Sequence, residues 1–85
     1  MVTRVVPQAN VLEEAANMAR ELAGSSLNSF AWSKKLLTDS FDSSFETHIE
    51  RERTGMCACA AHPEGMEGLR AFAEKRKAVF TSYLQ

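Results

Sequence analysis

Glu67-Gly68-Leu69-Arg70-Ala71-Phe72-Ala73-Glu74-Lys75-Arg76-Lys77-Ala78-Val79-Phe80 combines the body of an amphipathic helix with a short apolar hook. Leu69, Phe72, Ala73 and Arg76 recur at helical spacing, which puts Leu69, Phe72 and Ala73 on one face. Lys75, Arg76 and Lys77 collect where cations meet the negative end of a helix dipole. Val79 and Phe80 then offer two apolar anchors beyond the helix. A solvated helix needs no such hook, so this tail is expected to dock on something.

The rest of the chain sets the bounds. Its 85 residues make at most one domain. A chain of that size buries on the order of 60–65% of its surface, so stability on its own should be marginal. Ten basic residues against eleven acidic ones leave a net charge of −1, a poor match for duplex DNA or an anionic membrane. No apolar run is long enough to span a bilayer, and Met1-Val2-Thr3-Arg4 lacks the apolar core of a signal peptide. Cys57 and Cys59 do not suggest a secreted disulfide framework, so a cytoplasmic setting is expected.

Taken in order, Val2-Thr3-Arg4-Val5-Val6 is β-branched and closed by Pro7, which reads as a strand. No second strand follows to pair with it, so it should fray or pair between molecules. A first helix is expected from about Ala9 to Ala23. Asn10 and Glu13 form a capping box, Val11, Leu12, Ala15, Met18 and Leu22 an apolar stripe, and Gly24 the stop. A second helix, about Asn28 to Ser40, carries two apolar faces: Phe30, Leu37 and Phe41 on one, Trp32 and Leu36 on the other. A third begins at a Ser43–Glu46 capping box and runs to about Cys59 or Ala60, with Phe45, Ile49, Met56 and Ala60 inward. Gly55 within it marks a close approach or a bend. The last helix starts at His62-Pro63-Glu64, with Pro63 suited to the first helical position and Gly65 and Gly68 loosening the first turn. The expected fold is all-α: a strand remnant over residues 1–7 and a four-helix region over residues 8–85.

The pattern E-G-x-x-A-F-x-E-K-R-K-x-x-F over residues 67–80 resembles the C-terminal signature of the enoyl-CoA hydratase/isomerase (crotonase) superfamily. The resemblance extends through Val5-Val6-Pro7, the Ala-rich run ending at Leu22-Ala23, Lys34-Lys35-Leu36-Leu37 and Ser44-Phe45-Glu46…Glu50-x-Glu52, in the family's order and spacing. It implies that the chain corresponds to the C-terminal helical region of such an enzyme, which explains the orphan strand as the last strand of a core. It further implies a region that caps the acyl-CoA site and builds a trimer-based homo-oligomer. The parent reaction would polarise an acyl-CoA thioester carbonyl and then hydrate a 2-enoyl-CoA or shift its double bond. The family's catalytic carboxylates and oxyanion donors belong to the core, and none maps here, so no catalytic residue is assigned and this chain alone should not turn over. The resemblance makes Phe72 and Lys75 a coenzyme A-binding pair: an aromatic ring can pack on adenine and an ammonium can meet a phosphate. In this chain alone the plainer account, a core Phe72 and a solvated Lys75, is favoured, because the rest of the groove is missing. Ala78 stands where the family commonly has Pro, Gly65 where an apolar residue often packs, and Leu27 and Ser29 replace a common Pro and Ala, which blurs the subfamily.

Other chemistry is weaker. Cys57-Ala58-Cys59 with His62 suggests metal, but residues two apart on a helix point to nearly opposite faces and His48 lies more than two turns away. No metal is expected. Glu46, Glu50, Glu52, Glu64, Glu67 and Glu74 should be exposed and paired with Arg51, Arg53, Arg70 or Lys75 rather than act in acid–base chemistry. The Lys75-Arg76-Lys77 cluster without an RNA-binding aromatic motif makes a poor nucleic-acid site. A reading from another class treats the chain as an autonomous helical interaction module with no CoA-related activity, using the Trp32–Leu36 face and the Val79–Phe80 hook.

Overall fold

A computed structural model describes residues 2–80 of the chain. Four α-helices follow one another: α1 Val11–Ala23, α2 Leu27–Asp39, α3 Phe45–Ala61 and α4 Pro63–Ala73. The all-α expectation holds. Among the described residues there is no strand, and Val2–Pro7 runs as irregular chain. A lone strand has no neighbour to satisfy its N–H and C=O groups, so nothing holds it extended. This segment is tied down by a side chain instead: Arg4 pairs with Glu14 at 2.9 Å.

The helix ends follow local chemistry. Asn10 does not cap α1 with its side chain. The chain has already wound into a single 3-10 turn over Gln8–Asn10, and the Asn10 N–H donates to the Pro7 carbonyl at 2.9 Å. A capping side chain works from extended backbone, which Asn10 lacks. Ser26 caps α2, accepting from the Ser29 N–H at 3.4 Å. The cap of α3 is Ser44, not Ser43; it accepts from the Thr47 N–H at 3.2 Å. His62 ends α3 and also caps α4, its Nδ1 accepting from the Glu64 N–H at 3.1 Å, with Pro63 at the first helical position. One extended residue therefore makes the whole corner between the last two helices.

The substantial helix pairings are α2 on α3 and α3 on α4; the main packing of α1 is with the turn that precedes it. Glycine decides both pairings. Gly55 is buried beneath the Trp32 indole, and a Cβ there would come within 2.9 Å of Trp32 Cε3. At the next crossing, a Cβ on Gly65 would overlap the Cys59 carbonyl oxygen. Gly65 thus does more than loosen a turn: it lets two backbones touch.

These contacts cover only one of the two apolar faces of α2 and leave open the face of α3 expected inward. Trp32 and Leu36 are half-buried beside Gly55, whereas Leu37 and Phe41 stand exposed and Phe30 is exposed too. On α3, Phe45, Ile49, Met56 and Ala60 are exposed rather than inward. The flat indole needs a site with no side chain, so α2 meets α3 where Gly55 leaves room and not where apolar side chains cluster.

Ala71 is the one buried apolar residue among those described. The radius of gyration is 16.0 Å, against about 12 Å for a compact domain of this length. The accessible surface of 7066 Å² exceeds the about 5,000 Å² of a compact monomer of this mass. The helices form an open strip with little interior of its own.

Candidate functional site

A cluster of polar contacts lies at the end of α4. Lys75 has a left-handed backbone with φ of 54°. The Arg76 N–H donates to the Ala71 carbonyl at 3.0 Å and the Lys75 N–H to the Phe72 carbonyl at 3.2 Å. This pair of bonds is a Schellman ending, whose left-handed position usually carries glycine. A residue with a Cβ costs about 1 kcal/mol more there.

The chain after Lys75 then turns back on the helix. Arg76 Nη1 and Nη2 reach the Glu67 carboxylate at 2.6 and 3.2 Å, and Arg76 Nε meets Glu74 at 2.6 Å. The Val79 N–H donates to the same Glu67 carboxylate at 3.1 Å. Glu67 is buried, contrary to its expected exposure. The Arg76 hydrogen bond, followed by that from Val79, holds its carboxyl at about 2. The same contacts raise the Arg76 guanidinium above its ordinary value, Glu67 first and Glu74 next. Arg76 is therefore a tie between helix and tail rather than a free cation at the dipole end.

Glu64 is the second buried carboxylate. It accepts from the Ser26 hydroxyl at 2.7 Å and from the Asn28 N–H at 3.0 Å. A carboxylate from α4 thus caps the first turn of α2, where negative charge is favoured. Glu64, Glu67 and Ala71 share one stripe of α4 at i, i+3 and i+7. That spacing, with small Gly68 and Ala71 beside the carboxylates, is the signal by which sequence could have placed both inward. The remaining carboxylates behave as expected where they pair along a helix: Arg53 Nε donates to Glu50 at 3.0 Å, and this contact lowers the Glu50 carboxyl below its usual value.

Phe72 projects from the last turn of α4 and is 85% exposed; Lys75 is exposed as well. Phe72 is therefore not core, as the plainer account of this chain had it. Among the described residues, the two larger of three open hollows lie elsewhere. One, of about 250 Å³, sits between residues 3–6 and α1 against Val6, Val11, Ala15 and Met18. The other, of about 270 Å³, lies beside Trp32, Leu36 and Met56 at the α2–α3 contact. Neither is lined by Phe72 or Lys75.

Cys57 is exposed and Cys59 half-buried, and Asn28 Nδ2 lies 3.8 Å from the Cys59 sulfur. His48 leans toward Glu52 at 3.3 Å through Nε2. Among the described residues, no three His, Cys, Asp or Glu side chains converge as metal ligands, and no helix is long and apolar enough to cross a membrane. The model of the family described as enoyl-CoA hydratase/isomerase matches residues 1–83.

Proposed function

This chain belongs to the enoyl-CoA hydratase/isomerase family, and we propose that it is the C-terminal helical region of such an enzyme, laid over the acyl-CoA site and against neighbouring subunits of a trimer-based assembly. The observation that carries this reading is the open strip. Leu37, Phe41, Phe45, Met56 and Leu69 are each more than 60% exposed, while among the described apolar residues Ala71 alone is buried. Apolar surface on that scale is normally covered by a partner. In this reading a βα core and adjacent subunits cover it, and Phe72 and Lys75 meet the nucleotide end of a coenzyme A thioester. The reaction is hydration or double-bond isomerisation of an enoyl thioester. Its oxyanion donors and acid–base groups lie in the core, outside these residues. The two free thiols fit a reducing cytoplasm.

Turnover of a 2-enoyl-CoA by the complete natural polypeptide that carries these residues tests the proposal. Hydration or isomerisation is expected, with Phe72→Ala and Lys75→Ala each raising KM about tenfold, the scale of one lost charged or stacking contact. No turnover, or unchanged KM in both variants, would overturn it. The same assay on residues 1–85 alone is expected to read zero.

A further inference from the structure

We infer that Glu67 is a positioning residue for coenzyme A recognition: through Arg76 and the Val79 N–H it locks the tail so that Lys75 is held where its ammonium meets the nucleotide phosphates. The inference rests on the coenzyme A reading of Phe72 and Lys75 given above.

Three features of the α4 terminus lead here. Lys75 occupies the left-handed position of the Schellman ending with φ of 54°, where glycine would be cheaper. A side chain kept at a strained position points to a use for that side chain. The residue that follows, Arg76, is fixed to Glu67 through two guanidinium nitrogens at 2.6 and 3.2 Å. Three residues further along, the Val79 N–H closes on the same carboxylate at 3.1 Å. Lys75 is thus bracketed by helix bonds before it and by Glu67 contacts after it.

The tie is also built at a cost. Glu67 is 6% exposed, and a carboxylate that is buried loses solvation unless charged hydrogen bonds replace it. Glu67 gains those bonds from the tail: among the described residues its hydrogen-bond donors are Arg76 and the Val79 N–H. Loss of the tie would free residues 77–79 and the Arg76 side chain and leave Lys75 held only by the two backbone bonds of the Schellman ending, so that its ammonium samples more positions. A flexible ammonium on a free tail would have to be ordered again on each binding event, which weakens affinity.

Calorimetric titration of the complete natural polypeptide with coenzyme A, and separately with 4′-phosphopantetheine, tests this. The two ligands differ by the nucleotide. Wild type should bind coenzyme A more tightly, and Glu67→Gln should lose about tenfold of that preference, a loss confined to the nucleotide-bearing ligand. Lys75→Gly, which keeps the left-handed backbone and removes the ammonium, should lose it as well. Arg76→Lys, which keeps the charge and drops the two-nitrogen fork, should fall between wild type and Glu67→Gln. If wild type does not distinguish the two ligands, the nucleotide reading itself fails and the inference goes with it. If Lys75→Gly abolishes the preference and Glu67→Gln keeps it, only the positioning role is overturned. An equal loss on both ligands in Glu67→Gln and Arg76→Lys marks a purely structural tie and also overturns it.

Discussion

Arg76 reaches back nine positions to Glu67, two guanidinium nitrogens lying 2.6 and 3.2 Å from a carboxylate that is nearly out of solvent. Arg76 itself stays partly exposed, so the pair sits at the rim where one partner is dry and the other wet. Its worth depends on the carboxylate being charged.

The tie should therefore respond to acid in a defined window. Glu67 has a carboxyl lowered from an ordinary 4.5 to about 2, chiefly by the Arg76 hydrogen bond and next by that of Val79. Between those values the unfolded tail binds more protons than the folded one, so the tail's stability rises with pH there. The contribution is fully present above 4.5, and it is lost as pH falls through about 2. The Val79 amide resonance should report a midpoint near the lower value. A midpoint near 4.5 would mean that the tail is not tied to Glu67 in solution.

Gly65 and Gly68 should respond oppositely to alanine. At Gly65 the new methyl overlaps the Cys59 carbonyl, a backbone atom that cannot swing away. Gly65→Ala is expected to lose about 1–3 kcal/mol through forced displacement of α4 from α3. At Gly68 nothing lies within 4 Å of the added Cβ. Gly68→Ala is expected to gain up to about 1 kcal/mol from helix propensity. Amide exchange of α4 read in each variant separates the two, and equal shifts would place α4 elsewhere.

Glu64→Ala should loosen α2 although the substitution lies in α4. The change orphans the Asn28 N–H and takes from the Ser26 hydroxyl one of its two acceptors, the other being Ser29 Oγ at 2.8 Å. A loss of about 1–2 kcal/mol is expected, the scale of a removed cap. Glu64→Gln keeps an acceptor oxygen and should lose less. Faster amide exchange at Asn28 in the alanine variant checks this, and unchanged exchange there would remove the inter-helix cap.

The helix count was legible because end signals are local. Gly24, Ser26 and Pro63 each stop, cap or start a helix through chemistry within a few residues. The inward faces were not legible, for a physical reason. Apolar periodicity marks the face that will be covered by something, and in this chain most of that face is not covered by the chain itself. Phe45 and Met56 satisfy the pattern and remain exposed, while Gly55 and Gly65, which carry no hydrophobic signal, make the actual contacts. Glu64 and Glu67 were missed because charge ordinarily indicates solvent, and only their shared stripe with Ala71 argues otherwise. Phe72 and Lys75 are singled out as a pair by resemblance alone; the left-handed backbone of Lys75 has no cue in sequence, since lysine is not a residue that favours it.

The pairwise contacts at Gly55 and Gly65 have a consequence for how the strip comes apart. Each joins only successive helices, and α1 leans chiefly on the turn before it, so no shared interior forces all four to melt together. Denaturation of residues 1–85 should proceed in stages, with α1 exchanging its amides first and the α2–α3 junction under Trp32 surviving longest. Cooperativity would then be a property the strip borrows from whatever surface it lies on.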